Sequence, residues 1–152
     1  MRPLTTADMN QILGNNSVTK RYFLGTYPAC LAPVTGKRKY SYVTNSESHE
    51  SRGVHWNIWM VNDGCLTFYD SFGRSPWDSM LPDFYRDIVN DFDNVKYTQK
   101  RTQSYSSGTC GYFSIHCLYI LSLGLDFDFF FKDYSSDFEN NDIVAYNIVN
   151  SL

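Results

Sequence analysis

The segment "HWNIWMVNDGCLTFYD", from His55 to Asp70, contains the strongest local pattern in the chain. On the amino side of Asp63-Gly64, bulky apolar residues occupy every second position, which is the spacing of a β-strand with two different faces. Asp-Gly is a preferred pair for the two central residues of a hairpin turn. After it, Cys65–Phe72 carries aromatic residues that favour a returning strand. The segment therefore predicts a β-hairpin.

A two-residue turn also predicts which residues face each other across this hairpin. Val61 would face Leu66. Asn57 would face Asp70, which places His55 diagonally from Asp70 on the same face of the sheet. Diagonal Cα atoms lie about 7–8 Å apart, close enough for a hydrogen bond between an imidazole and a carboxylate. A turn with a bulge would shift the register by one residue, so a solvent-facing His55 remains the alternative at this stage.

Around the hairpin, the residue patterns predict a set of helices and one further strand. The middle segment 21–45 is rich in Gly and Pro, which favours loops and short strands. This order predicts a single α+β domain over residues 1–152, with a mixed, mainly antiparallel sheet packed against helices. The predicted elements are helices at Thr5–Gly14, at Asp83–Phe92 with an apolar stripe of Phe84, Ile88 and Phe92, at Cys110–Leu123 and at Asp142–Val149, and a strand in Val95–Gln103.

Composition limits the classes of function. The chain has 152 residues, of which 43% are hydrophobic and 17% aromatic, which favours a folded protein over a disordered one. A net charge of −3 provides no general field for nucleic acid. Two short basic clusters are solvated surface or a site for an anionic partner. They are Lys37–Lys39, and Lys96 with Lys100 and Arg101.

The four cysteines give no zinc motif, because none has CxxC spacing. Met1–Leu13 lacks the apolar core of a secretory leader, so the thiols are expected to be reduced. No run of residues reaches the roughly 20 apolar positions of a membrane span, and no membrane partner is expected. Buried small hydrophobes are the expected roles of Cys30, Cys65 and Cys117.

Cys110 differs from the other cysteines because it opens the long apolar segment in "SSGTCGYFSIHCLYIL", residues Ser106–Leu121. Free backbone N–H groups and the dipole at a helix start favour a thiolate, and an imidazolium partner would favour it further. Gly111 has no side chain, so a substrate backbone can approach the sulfur closely. A small buried hydrophobe is the alternative role of Cys110.

Gln103 lies seven residues before Cys110. Its amide can donate to a developing oxyanion without adding charge, with the backbone N–H of Cys110 as a second donor. Taken alone, a glutamine such as Gln103 is most often a surface residue. His49 and His116 compete with His55 as the base. His116 follows Cys110 by six residues in the buried helix, so it is expected to be a hydrogen-bonded core residue.

Four motifs together resemble the adenovirus-type cysteine endopeptidases, the adenain family, which belongs to the same clan as the SUMO (Ulp1-type) proteases. The resemblance covers roughly residues 8–121 and implies an adenain/Ulp1-like fold, with the nucleophile at the N-terminus of a buried central helix. It implies that Cys110 is the nucleophile, His55 the base, Asp70 its orienting acid and Gln103 part of the oxyanion hole. Trp56 and Gly111 would contact substrate. The motifs are "YFLGTY" (22–27), "GVHW" (53–56), "YDSFG" (69–73) and "TQSYSSGTCGYF" (102–113).

The same resemblance implies a viral maturation endopeptidase that cleaves capsid and core precursors at Gly-Gly-type sites, in the virion and in the nucleus or cytoplasm of the host cell. No metal or required cofactor is expected, although relatives suggest a peptide or DNA activator. Adenovirus members have Glu at the position of Asp70, and residues 90–100 lack the cysteine that would bind an activating peptide covalently. Any activating peptide would therefore bind non-covalently. A deubiquitinase or SUMO-type peptidase, and a non-catalytic virion protein, are the alternatives.

Overall fold

The computed structural model describes residues 1–46 and 55–152. In this part of the chain five strands form one sheet, in the order in which they occur in the sequence. The two central pairings, β2 with β3 and β3 with β4, are antiparallel, whereas the outer pairings are parallel. The predicted α+β class with a mixed sheet is confirmed. The strands are β1 (Phe23–Pro28), β2 (Lys39–Asn45), β3 (Trp56–Asn62), β4 (Cys65–Tyr69) and β5 (Asn94–Lys96).

The hairpin has the register that the sequence predicts. Asp63 and Gly64 have φ values of 50° and 78°. Positive φ at both central residues is the mark of a type I′ turn, whose twist matches that of the flanking strands. Val61 consequently faces Leu66, and no bulge shifts the pairing. Both strands are shorter than expected, so His55 and Asp70 lie just beyond the strand ends.

Five α-helices surround the sheet in the described ranges, and the boundaries of the four predicted ones lie within two residues of the prediction, except at the start of the last helix. The first helix continues past Gly14 to Asn15, because a glycine with helical φ does not by itself end a helix. The last helix starts at Phe138, where Asp137 caps it by accepting from the N–H of Asn140. A short fourth helix was not predicted. The helices are α1 (Thr6–Asn15), α2 (Phe84–Asn90), α3 (Cys110–Ser122), α4 (Phe127–Phe131) and α5 (Phe138–Asn150).

The apolar stripe predicted for α2 is only partly buried. Phe84 is 51% exposed, whereas Tyr85 and Val89 are buried against the sheet. The hydroxyl of Tyr85 explains this rotation, because it lies 2.8 Å from Asn57 Oδ1 inside the protein. Phe84 has no polar group to satisfy, and its ring instead lines an open groove with Ile88 and other residues.

The buried central helix is confirmed as α3. It packs on the face of the sheet that carries Trp56 and Ile58, in one apolar core. The opposite face carries Trp59 and Phe68, which form a second core with Tyr85 of α2. The sheet therefore separates two cores, and α3 and α2 lie on opposite sides of it.

None of the four cysteines, which all lie in the described ranges, forms a disulfide, and their burial agrees only in part with expectation. Cys117 is a buried core residue, as predicted. Cys30 is exposed and Cys65 half-buried, because the first lies in a helical turn just after β1 and the second opens β4 next to the hairpin turn. No helix in the described ranges is long and apolar enough to cross a membrane.

The type I′ turn gives a direct test of the hairpin register. Gly64→Ala should lower the free energy of unfolding by about 1 kcal/mol, because φ of +78° is unfavourable for a residue with a Cβ. Gly14→Ala is the matched control. It lies in α1 with open space where the added methyl group would stand, so it should stabilise the protein by about 0.5–1 kcal/mol. Urea unfolding measures both, and a Gly64→Ala variant as stable as the wild type would contradict the turn.

Candidate active site

His55 and Asp70 meet at the adjacent ends of β3 and β4. Nε2 of His55 hydrogen-bonds to Oδ1 of Asp70, and the two residues are only 3% and 0% exposed. The ring of Phe72 stacks on the imidazole, with ring centroids 4.8 Å apart and an interplanar angle of 12°. The predicted register therefore brings together the histidine and the acid that the sequence singled out.

Burial and charge act in opposite directions on this pair. Burial alone would lower the pKa of His55, but the hydrogen bonds and charges of Asp70 and Cys110 outweigh it and raise that pKa to about 9. Burial alone would raise the pKa of Asp70, but His55 and Arg74 hold it well below its usual range. The pair is therefore an imidazolium and a carboxylate at neutral pH.

Asp70 accepts further hydrogen bonds from the turn that follows it. The backbone N–H of Arg74 lies 3.2 Å from Oδ2, and its Nε lies 2.8 Å from the same oxygen. Gly73 allows this return of the chain through its φ of +78°, and a Cβ there would lie 2.7 Å from the carbonyl oxygen of Gln99. The "YDSFG" motif thus shapes the turn that surrounds the carboxylate.

Two contacts of Asp70 were missed by the sequence reasoning. Arg74 lies four residues after the acid, and Asn57 donates from Nδ2 to Oδ1 at 2.8 Å. The predicted register already placed Asn57 opposite Asp70, so a signal existed for that residue. No comparable signal existed for Arg74, because its approach depends on the turn at Gly73.

Cys110 is the first residue of α3 and is 4% exposed. Its side chain lies beside that of His55 and raises the pKa of the imidazole. Since Asp70 engages Nε2, Nδ1 is the ring nitrogen left for the sulfur. The side chain of Thr109, just before the helix, donates to Asp142 Oδ1 at 2.9 Å instead of capping α3. The helix N-terminus therefore presents its backbone N–H groups without a side-chain cap from Thr109.

Gln103 is buried in the loop that leads to Cys110. Its backbone N–H donates to Ser71 O at 3.2 Å, and its Oε1 accepts from the hydroxyl of Ser71. Nε2 donates to Ser107 O at 2.9 Å, with Ser107 Oγ at 3.3 Å. The loop thus ties Gln103 to the residue after Asp70. An amide nitrogen carries two hydrogens, so donation to an oxyanion would replace the longer contact with Ser107.

Trp56 and Gly111, the predicted substrate contacts, are covered by the N-terminal segment. Trp56 Nε1 donates to Leu4 O at 3.1 Å, and its indole is buried. A Cβ on Gly111 would lie 3.0 Å from Leu4 Cβ, and one on Gly108 would lie 2.8 Å from Pro3 Cγ. Residues 3 and 4 therefore lie over both sides of the Cys110 position, and a role in substrate binding remains a prediction.

The remaining candidates lie away from this cluster. Nδ1 of His116 is 2.6 Å from the hydroxyl of Tyr134 in the core, and burial lowers its pKa to about 4. His49 and Gly53 lie outside the described residues. In the described ranges no group of three His, Cys, Asp or Glu side chains could hold a metal ion.

Comparison with known proteins identifies a fold. No family model and no curated protein matches the chain in sequence. The crystal structure of ASFV pS273R protease matches with a TM-score of 0.59 at 16% identity, over 94% of this chain and 66% of that chain. The selenomethionine form of the same protease matches with a TM-score of 0.44 at 18% identity, over 71% of this chain and 43% of that chain. The SUMO protease Ulp1, with its catalytic cysteine oxidised to a sulfenic acid, matches with a TM-score of 0.38 at 15% identity. That match covers 73% of this chain and 53% of Ulp1.

The chain therefore has the fold of the ASFV pS273R protease, and it spans just under two thirds of that protease's length. The predicted cysteine-protease fold, with a cysteine at the start of a buried central helix, is shown. The finer likeness to the adenovirus-type enzymes rests on the sequence motifs alone.

The covering segment predicts restricted access to Cys110. Leu4→Ala should speed alkylation of Cys110 by a bulky maleimide several-fold, because it removes the side chain that lies over Gly111. Leu13→Ala is the control, since Leu13 belongs to the same core but has no part in this cover. Mass spectrometry of the modified peptide measures the rate. An equal increase in both variants would indicate general loosening of the fold and contradict a local cover.

Proposed function

We propose that this chain is a cysteine endopeptidase with Cys110 as its nucleophile. One observation carries the proposal: the buried imidazole of His55 hydrogen-bonds to Asp70 and lies beside the side chain of Cys110. A histidine held between an ionised acid and a thiol is the arrangement that activates a nucleophilic cysteine. The fold shared with the ASFV pS273R protease supports the same chemistry.

The first half of the reaction forms an acyl-enzyme. The Cys110 thiolate attacks the carbonyl carbon of the scissile peptide bond, and a C–S bond forms while the carbonyl oxygen becomes an oxyanion. The backbone N–H of Cys110 and the amide of Gln103 would donate to that oxygen. As the C–N bond breaks, the His55 imidazolium gives its proton to the leaving amine. A thioester and a neutral imidazole remain.

The second half restores the enzyme. His55 takes a proton from water, and the resulting hydroxide attacks the thioester carbon. The C–S bond then breaks, Cys110 leaves as a thiolate, and the carboxyl product departs. Asp70 stays ionised throughout, accepts the Nε2–H of His55 and so keeps Nδ1 directed at the sulfur.

The substrates in this proposal are viral capsid and core precursor polypeptides, cut at Gly-Gly-type sites. Support comes from the four sequence motifs and from the fold shared with the ASFV pS273R protease. Glycine suits a narrow site, because a groove that excludes side chains selects the residue without one. Action in the virion and host cell, and a non-covalent peptide or DNA activator, belong to the proposal through the motif resemblance alone.

Thiol reactivity tests the activated pair without a substrate. At pH 6 an ordinary cysteine is almost fully protonated, whereas a sulfur beside an imidazolium reacts as a thiolate. Cys110 should therefore be alkylated by iodoacetamide roughly tenfold or more faster than the exposed Cys30, despite its burial. The advantage should shrink as the pH rises toward about 8.5, because an ordinary thiol then ionises as well. Peptide mass spectrometry measures the alkylation rate of each cysteine. Equal rates for Cys110 and Cys30 at pH 6 would contradict the proposed thiolate–imidazolium pair.

Proteolysis tests the function itself. Cys110→Ala should abolish cleavage of a peptide with an internal Gly-Gly, Asp70→Asn should lower kcat by roughly 10²-fold, and Cys30→Ala should retain wild-type activity. Cleavage of ubiquitin- or SUMO-fluorophore conjugates in preference to the peptide would favour the deubiquitinase or SUMO-type alternative. A wild-type protein that cleaves neither substrate nor viral precursor polypeptides would leave only the non-catalytic role.

A further inference from the structure

A second chain of buried hydrogen bonds reaches Asp70 from the side opposite to α3. Asn57 Nδ2 lies 2.8 Å from Asp70 Oδ1, and Tyr85 OH lies 2.8 Å from Asn57 Oδ1. Thr44 Oγ1 is 2.7 Å from Tyr85 OH, and Trp59 Nε1 donates to Thr44 Oγ1 at 2.9 Å. Every residue of this hydrogen-bonded chain is completely buried.

Both ends of the chain fix the direction of every hydrogen bond in it. An indole N–H only donates and an ionised carboxylate only accepts. Asp70 therefore receives an N–H from Asn57, whose oxygen must then accept from Tyr85. The single hydroxyl hydrogen of Tyr85 is used there, so its oxygen accepts from Thr44. All donors point toward Asp70.

Burial preserves these hydrogen-bond directions at ordinary pH. It raises the pKa of Tyr85 far above the usual value for a phenol, so the hydroxyl stays protonated and remains a donor. Hydrogen bonds in series polarise one another in a dry interior. The hydrogen-bonded chain therefore fixes the Asn57 N–H as a donor to Oδ1 of Asp70.

Asp70 is held by donors on both of its oxygens. Arg74 binds Oδ2 through Nε at 2.8 Å and Oδ1 through Nη2 at 3.3 Å, whereas Asn57 and His55 bind Oδ1 alone. The Asn57 amide therefore holds Oδ1 against the closer attraction of Arg74 for Oδ2. The orientation that His55 needs thus depends on the amide as well as on the guanidinium.

We propose that Asn57 and Tyr85 are positioning residues, which aim the Asp70 carboxylate at His55 through this chain. The role in catalysis rests on the proposed peptidase function, whereas the positioning itself does not. Among the described residues, the ionisable groups that face the pair are Arg74 beside Asp70, Tyr85 on α2, and Cys110 beside His55 on α3. None of these other ionisable groups binds Oδ1 as closely as Asn57 does.

Tyr85→Phe removes one hydroxyl and breaks the chain while it keeps the ring packing. NMR of ring-labelled histidine should show the pKa of His55 falling by roughly half a unit to one unit, since a misdirected carboxylate supports the imidazolium less. Above that pKa the neutral ring should lose its preference for a proton on Nε2. Alkylation of Cys110 at pH 7 should slow several-fold, and kcat should fall with KM unchanged.

Tyr42→Phe is the matched control. Tyr42 lies in the same core and stacks on Trp59, but it does not belong to the chain, so all four readouts should stay at their wild-type values. Thr44→Val is a second variant that breaks the chain one step further from Asp70. Combined with Tyr85→Phe it should add little to the change in His55, because both variants interrupt the same chain.

The outcomes separate the two proposals. A wild-type protein without an elevated pKa at His55 and without rapid alkylation of Cys110 defeats the proposed function. A wild-type protein with both properties, and a Tyr85→Phe variant identical to it, defeats the positioning role alone. A rise in the pKa of His55 in Tyr85→Phe also overturns the positioning role, since Asn57 would then act as a competitor of His55 for Oδ1.

Discussion

The structure depends on one buried charge, the carboxylate of Asp70. An ionised carboxylate without partners would cost several kcal/mol or more to remove from water, so every nearby element must supply a donor. β3 supplies Asn57, the residue before β3 supplies His55, and the turn after β4 supplies Arg74. The hairpin register and the conformation of Gly73 bring these donors to the carboxylate. The same contacts that stabilise the charge also orient the histidine.

How much of this could be predicted depended on whether the signal was local. The Asp-Gly turn fixes the pairing of β3 and β4 within a few residues, so the meeting of His55 and Asp70 was accessible from sequence. The face that α2 buries was not, because two apolar stripes compete there. A hydrogen bond from Tyr85 to Asn57, 28 residues away in sequence, favours the stripe with Tyr85. Periodicity contains no information about such a distant partner.

The surroundings of Cys110 also include a contact with a residue distant in sequence, which a local pattern does not predict. The apolar run after it predicts a buried helix, and its place at the helix start follows directly. Leu4 lies against Gly111 although more than a hundred residues separate them in sequence. No local sequence pattern predicts the contact between Leu4 and Gly111. The sequence therefore predicts the chemistry of the site more readily than the access to it.

The two cores of the protein meet at His55 and Asp70. Trp56 and Asn57 are consecutive residues of β3, and because side chains alternate along a strand they point to opposite faces of the sheet. Trp56 enters the core of α3, which begins at Cys110, and Asn57 enters the core of α2, which carries Tyr85. His55 precedes both, and its carbonyl is fixed by the N–H of Ser46 at 2.9 Å. A shift of either core must therefore move the imidazole relative to the sulfur or to the acid, so packing far from the site controls its geometry.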